Sequence, residues 1–273
     1  MRGEATRTST GDISVDSTLT LSGKAALDLN GFVIEVDAAT TLNDASITGT
    51  GINGTLLFNG GVSLQQGAQF NINMSSGEVQ LAEAIVNQGS QFQVTSPLIA
   101  LVKNTEDFSF LGNSRVSLTG NVELRNNVRV TNDIKGVEIL ITGNLLGNGV
   151  NWQQGADAIL EYRGQAPPLP NGGFSAEAAG NTVIYARNDN LNQNLRSVNY
   201  HHLSLQGNGN KILNADVTIG GDFSSSSNPR FDVGSNNITI NGNWDNQGSL
   251  INHNGEIQLL SDGTTFSNPK GSI

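Results

Sequence analysis

The chain has 273 residues, a formal net charge of −10, 14% charged and 5% aromatic residues, and no cysteine. The acidic balance, with no block of Lys or Arg long enough to follow a phosphate backbone, argues against a nucleic-acid partner. The missing cysteines exclude disulfides and thiolate metal sites. No stretch of about 18 apolar residues occurs, so no membrane-spanning helix is expected.

The opening Met1-Arg2-Gly3-Glu4 leads into a polar segment without the apolar stretch of an export signal. If the protein is exported, the signal has been removed or lies upstream of this sequence. From Ile13 to Leu101, apolar residues alternate in pairs such as Leu19/Leu21, Leu27/Leu29, Val62/Leu64, Phe70/Ile72, Val79/Leu81 and Phe92/Val94. Each run is closed by Gly, Asn, Asp or Ser, which is the pattern of short strands and turns. The 33 glycines and 35 asparagines supply residues suited to bends with positive φ.

Two phrases recur on a beat of about 22 residues. Gln-Gly-Ala/Ser appears around Gly67, Gly89, Gly155 and Gly248, with intervals of 22, 66 and 93 residues. The second phrase is apolar-x-apolar-x-Gly-Asn/Asp-apolar, in Val116–Val122, Ile139–Leu145, Val217–Phe223 and Ile238–Trp244. A shared period is the mark of a solenoid. Strand centres about 6 to 9 residues apart give three short strands per turn. The expected fold is therefore an all-β, right-handed parallel β-helix of roughly twelve coils over residues 1–273, a rod on the order of 60 Å long at about 4.8 Å per coil. Inward apolar residues should form ladders. Asn121 and Asn144 should form a polar one, amide bonding to amide.

Residues 163–182 hold three of the six prolines and no alternation. Since proline cannot donate to a central ladder, this segment is expected to protrude as a loop. Strand character resumes at Thr182–Tyr185 and runs through Tyr200–Leu205, Lys211–Ile219 and Asn237–Trp244 to Glu256–Leu260. The tail ending Pro269-Lys270-Gly271-Ser272-Ile273 lacks a polar cap, so more protein following or end-to-end association is expected there.

Thr18-Leu-Thr-Leu-Ser-Gly23 with Ala26–Val36 resembles the coil phrase of right-handed parallel β-helices of the pectin-lyase type. Asn181–Tyr185, Tyr200–Gly209 and Val217–Phe223 are similar to repeats of long secreted surface and adhesin-like proteins of Bacteroidota-type bacteria. The resemblance covers most of the chain. It implies an extracellular or cell-surface module, part of a longer protein, with surface glycans or a host or neighbouring cell as partner. The same fold carries lyases and hydrolases, so polysaccharide cleavage, with Ca²⁺ in the lyase case, is the rival expectation.

Such an enzyme needs carboxylates one coil apart. Asp222/Asp245, Glu138/Glu161 and Glu83/Glu106 have that spacing. Aligning Gly221 with Gly242, however, sets Asp222 over Asn243 and Asp245 over Ser224. Arg115, Arg125 and Arg129 flank mid-rod strands and are expected as solvated side chains. Gly220-Gly221-Asp222 occurs once, too few for a calcium-binding repeat. His201 and His202, adjacent on a strand, should face opposite ways and not chelate together. Trp152 and Trp244 either stack on sugars from outside or fill wide corners. An ice-binding face would need Thr-x-Thr on every coil, and instances are scattered. No catalytic, cofactor or metal residue is therefore assigned.

Overall fold

The computed structural model describes residues 3–102, 107–260 and 265–268. Every regular element among these residues is a β-strand. The strands stack in parallel as a β-solenoid of about twelve turns with roughly 22-residue spacing. One sheet runs through all the turns, from Thr6–Thr8 to Phe266–Ser267. Following its register, Leu27 stacks on Ile47, Phe70, Phe92, Val116 and Ile139, and the column continues through Leu160, Val183, Leu203, Phe223 and Trp244 to Phe266. Successive partners in this column lie 20 to 24 residues apart.

These residues form strands because alternate positions can be buried while their neighbours face water. From Leu27 to Trp244 every member of the column is buried, the largest exposure being 7% at Leu27. In the first half, Ser46–Phe58, Gln69–Leu81, Gln91–Leu101 and Val116–Leu124 bend midway and supply two walls each. A separate eight-stranded sheet closes the third wall, with Leu21, Leu42, Leu64 and Val86 inward. In the second half the second and third walls are a four-stranded and a three-stranded sheet.

The recurring glycines mark places where one coil presses on the next. A Cβ on Gly77 would sit 1.8 Å from the Gly54 carbonyl oxygen, and one on Gly120 would sit 1.8 Å from that of Ser96. Gly143 in turn rests on Gly120, and Gly164 on Gly143. The Gln-Gly phrase makes a different corner: Gln66 and Gly67, then Gln88 and Gly89, have consecutive positive φ values of 55° and 75°, 57° and 72°.

Here the structure corrects the sequence reading in one respect. The beat is preserved along the chain, but the wall is not. Val116 and Ile139, which begin the second phrase, share a column with Phe223 and Trp244, which end it. Likewise Gly67, Gly89 and Gly155 precede the continuous sheet, whereas Gly248 follows it. The 93-residue interval thus spans four turns and one extra wall, Trp244–Asn246.

The segment 163–182 also differs from expectation, because it follows the wall instead of protruding. Asn171–Ser175 is a strand paired with Asn148–Gln154, and Phe174 stacks on Trp152. Leu169 is fully buried, and its N–H donates to the Leu145 carbonyl at 2.9 Å. Arg196 donates to the carbonyls of Pro170 and Gly172 at 3.0 and 2.9 Å, and the Tyr162 hydroxyl donates to Ala166 O at 2.8 Å. The prolines sit where no ladder donor is needed.

Candidate functional site

The carboxylate pairs resolve into structural contacts. Asp222 lies over Asn243 and accepts its N–H at 2.7 Å, while Asp245 lies over Ser224, as the glycine alignment requires. Glu138 pairs in register with Ile159, and Glu161 with Leu140, so the two acids are offset along the strand. Each is held by an arginine, Glu138 by Arg115 at 3.0 Å and Glu161 by Arg163. Of Glu83/Glu106, the second lies outside the described residues. Among the described residues, no group of three or more His, Asp or Glu is arranged to hold a metal ion.

Asp222 belongs instead to a relay in which a side chain accepts the backbone N–H of the coil above. His202 Nδ1 accepts from Asp222, Asp222 from Asn243, and Asn243 from Thr265 at 3.0 Å. Asn121 and Asn144 act the same way at another corner, accepting from Asn144 N and Ala166 N at 3.0 and 3.1 Å. The expected amide-to-amide bond is therefore replaced there by amide-to-backbone bonds. Amide-to-amide stacking does occur at Asn132–Gln154 and Asn246–Asn268, each at 2.8 Å. Asp216, Asn237 and Glu256 line a groove of about 300 Å³ with Asn199, Thr218 and Thr239. Its carboxamide and Asp216 oxygens are already used by backbone donors of the neighbouring coil.

Two expectations about individual side chains change. His201 and His202 do not diverge: the chain bends at His201, and the rings meet edge to face with centroids 4.3 Å apart. Burial, then the neighbouring His202, holds the His201 pKa below the usual imidazole value. Arg125 is not simply solvated. Its guanidinium donates to both carboxylate oxygens of Glu78, two coils away, at 3.2 and 2.9 Å, and to Glu123 at 2.8 Å. Ala100 on the intervening coil is fully buried. Arg125→Met is expected to cost about 1 kcal/mol in urea unfolding at low salt and much less at high salt, because a half-buried pair is partly screened. Arg115 and Arg129 remain exposed.

Trp152 and Trp244 are 1% and 0% exposed, so they fill the interior instead of offering platforms for sugars. Trp244 stacks on Phe223 with centroids 4.2 Å apart, and Trp152 lies 5.8 Å from Phe110. Both indole N–H groups lack a partner among the described residues.

Two interior features went unnoticed in the sequence. Tyr162, Tyr185 and Tyr200 pack edge to face, with Tyr185 and Tyr200 hydroxyls 2.8 Å apart. Burial pushes the Tyr185 pKa up to about 12 and those of the other two upward as well. Lys211 takes an inward position between Gln193 and Phe231 and is fully buried. Its ammonium donates to Arg187 O and Asn208 O at 2.9 and 3.0 Å. A lysine amid strand alternation reads as outward from sequence, and only the register places it inside.

Burial, and secondarily Arg187, lowers the Lys211 pKa from 10.5 to about 8, against the weaker opposing pull of Asp189. The unfolded chain then binds more protons than the folded one between about pH 8 and 10.5, so stability rises with pH across that window. Relative to Lys211→Met, the wild-type protein should gain on the order of 3 kcal/mol over the full window, read from urea midpoints at matched pH. The variant serves as the reference because it retains the buried tyrosines, whose raised pKa values act in the opposite sense above pH 10. A flat difference between the two proteins would refute the assignment.

On the outside, the first half of the continuous sheet presents an ordered polar face. Four successive strands place Ser46, Thr48 and Thr50 beside Gln69, Asn71 and Asn73, then Gln91, Gln93 and Thr95, then Ser117 and Thr119. No register shift occurs within these stretches, and Arg115 at the border is paired with Glu138. These four strands place neither a carboxylate nor an aromatic ring on the face, and Asp28 of the preceding strand borders it beside Thr48.

With the sites accounted for, the chain belongs structurally to the parallel β-solenoids. Comparison with protein-family models, curated protein sequences and solved structures gives no match to any of them.

Proposed function

We propose that this chain is a rigid module of a bacterial cell-surface or secreted adhesin-like protein, built of pectin-lyase-like repeats similar to those of long Bacteroidota-type surface proteins. It acts mechanically and without catalysis. A stiff, backbone-bonded stack holds its outer surface in a fixed array, and weak contacts repeated along it sum through avidity. The observation that carries this reading is the single sheet continuous from Thr6–Thr8 to Phe266–Ser267. Further support comes from the candidate acids and arginines, which are engaged with one another or with backbone: Asp222 and the Arg115–Glu138 pair join adjacent coils, Arg125 reaches Glu78 two coils away, and Glu161 is held by Arg163 on its own coil.

The test is to probe intact cells, surface extracts and medium with an antibody raised against this chain. The expected result is accessible antigen on the surface or in the medium. Antigen confined to the cytoplasm would overturn the proposal. A panel of acidic polysaccharides incubated with the protein, with and without Ca²⁺, should yield no shortened products, and product formation would establish the rival lyase or hydrolase reading.

A further inference from the structure

We propose that the Asn208-Gly209 peptide is a self-modification site, where Asn208 converts through a cyclic imide to aspartate or isoaspartate with water as the sole co-reactant, and that the Lys211 ammonium promotes the step. The chain has eight Asn-Gly pairs. A glycine in second place leaves the attacking nitrogen unobstructed in all of them when the chain is unfolded. The fold singles out one.

In the reaction the Gly209 N–H gives up its proton and the nitrogen bonds to Asn208 Cγ. The Cγ–Nδ2 bond breaks, and Nδ2 takes up a proton through solvent and leaves as ammonia. Water then opens the ring at either carbonyl. The balance is one water gained and one ammonia lost, without oxidation or reduction.

Three observations converge on Asn208. Its carboxamide makes no hydrogen bond among the described residues, and the Gly209 N–H donates to no acceptor among them, so both reacting groups are at liberty. Lys211 Nζ donates to Asn208 O at 3.0 Å. That carbonyl belongs to the peptide whose N–H must ionise, so the ammonium draws charge from the amide and stabilises the anion formed. Asn208 and Gly209 also line an open groove of about 620 Å³ with Asn190, Asn228 and Arg230, which admits water.

The other pairs lack this combination. Gly172, Gly242 and Gly255 each engage the attacking N–H with an acceptor, at 3.1, 3.0 and 2.8 Å. Gly54 and Gly149 lie inside strands. The Asn30 carboxamide donates to Ser9 O beside the Asp28 carboxylate, and that of Asn59 is held between Asp37 and Gln80. A carboxylate in such a place opposes ionisation of the neighbouring amide.

Conversion alters a junction between coils. Asn208 O holds Lys211, and Gly209 O accepts the Arg230 N–H at 3.0 Å. The extra backbone carbon of isoaspartate lengthens this bend, and the new carboxylate arises in the groove that Arg230 lines.

The experiment incubates the folded full chain from neutral to alkaline pH and follows the tryptic peptide Ser197–Lys211 by mass spectrometry for a gain of about 1 Da. Asn208 is expected to convert about tenfold faster than Asn171 or Asn241. Its rate, unlike theirs, should stop rising above about pH 8, where Lys211, its pKa lowered to about 8 by burial, loses its charge. Lys211→Met should slow Asn208 about tenfold and restore the alkaline rise. In urea the eight pairs should differ little.

Asn208 no faster than Asn241 in the folded chain, the same preference in urea, a rate that climbs steadily with pH, or an unchanged rate in Lys211→Met would each overturn the inference. The wild-type pH profile carries the test alone if Lys211→Met does not fold.

Discussion

Gly120→Ala is expected to destabilise the protein by about 4 kcal/mol, although it adds a single methyl group. Gly120 has φ of 130°, which side chains other than hydrogen rarely tolerate, and its Cβ would lie 1.8 Å from the Ser96 carbonyl oxygen. The obstruction is backbone, so no rotamer change relieves it. Both neighbouring coils would have to separate, and Gly143, which rests on Gly120, would move with them. Gly67→Ala provides the contrast. It has φ of 75° but nothing within 4 Å of the added atom, so only the backbone penalty of about 1 kcal/mol remains. Thermal and urea unfolding of the two variants should separate clash from conformation, and equal losses would refute the close-approach account.

Phe70→Ala should cost about 3–5 kcal/mol. Phe70 is fully buried between Phe58 and Phe92, with ring centroids 5.1 and 5.0 Å away. The cavity cannot close easily, because the flanking coils are fixed by parallel ladders on both sides. In a stack stabilised mainly by contacts between neighbours, a weak central interface also divides the cooperative unit. The variant should therefore show a lower midpoint together with a smaller denaturant slope or a second transition. A fall of less than 1 kcal/mol with an unchanged slope would mean that the core repacks across coils.

The fold was legible because burial on one face of each strand imposes period two, while stacking imposes the longer beat. Leu27, Phe70, Phe92, Val116 and Ile139 announce the inner column directly. What sequence could not settle was which wall a phrase occupied, since Val116 and Phe223 stand at opposite ends of similar phrases yet share one column. The proline-rich segment misled for a related reason. Lack of alternation predicts departure from the stack, but Tyr162, just before the segment, and Arg196, 24 and 26 residues beyond its acceptors, hold its carbonyls against the wall. The Asp222 and Asp245 offsets were legible from glycine alignment alone. Lys211 and the polar face were not, because both depend on register between coils rather than on the composition of any one strand.

The hydrogen bonds joining the coils point along the length of the solenoid, since the strands themselves run across it. A pull on the two ends therefore loads these bonds by peeling instead of shear, and the outermost coil yields before its neighbours feel the full load. Each coil released, 20 to 24 residues of chain, would lengthen the molecule by about 70–80 Å when drawn out. The stack would then act under tension as a ratcheting tether, giving way one turn at a time while the remaining turns keep their outer faces in place.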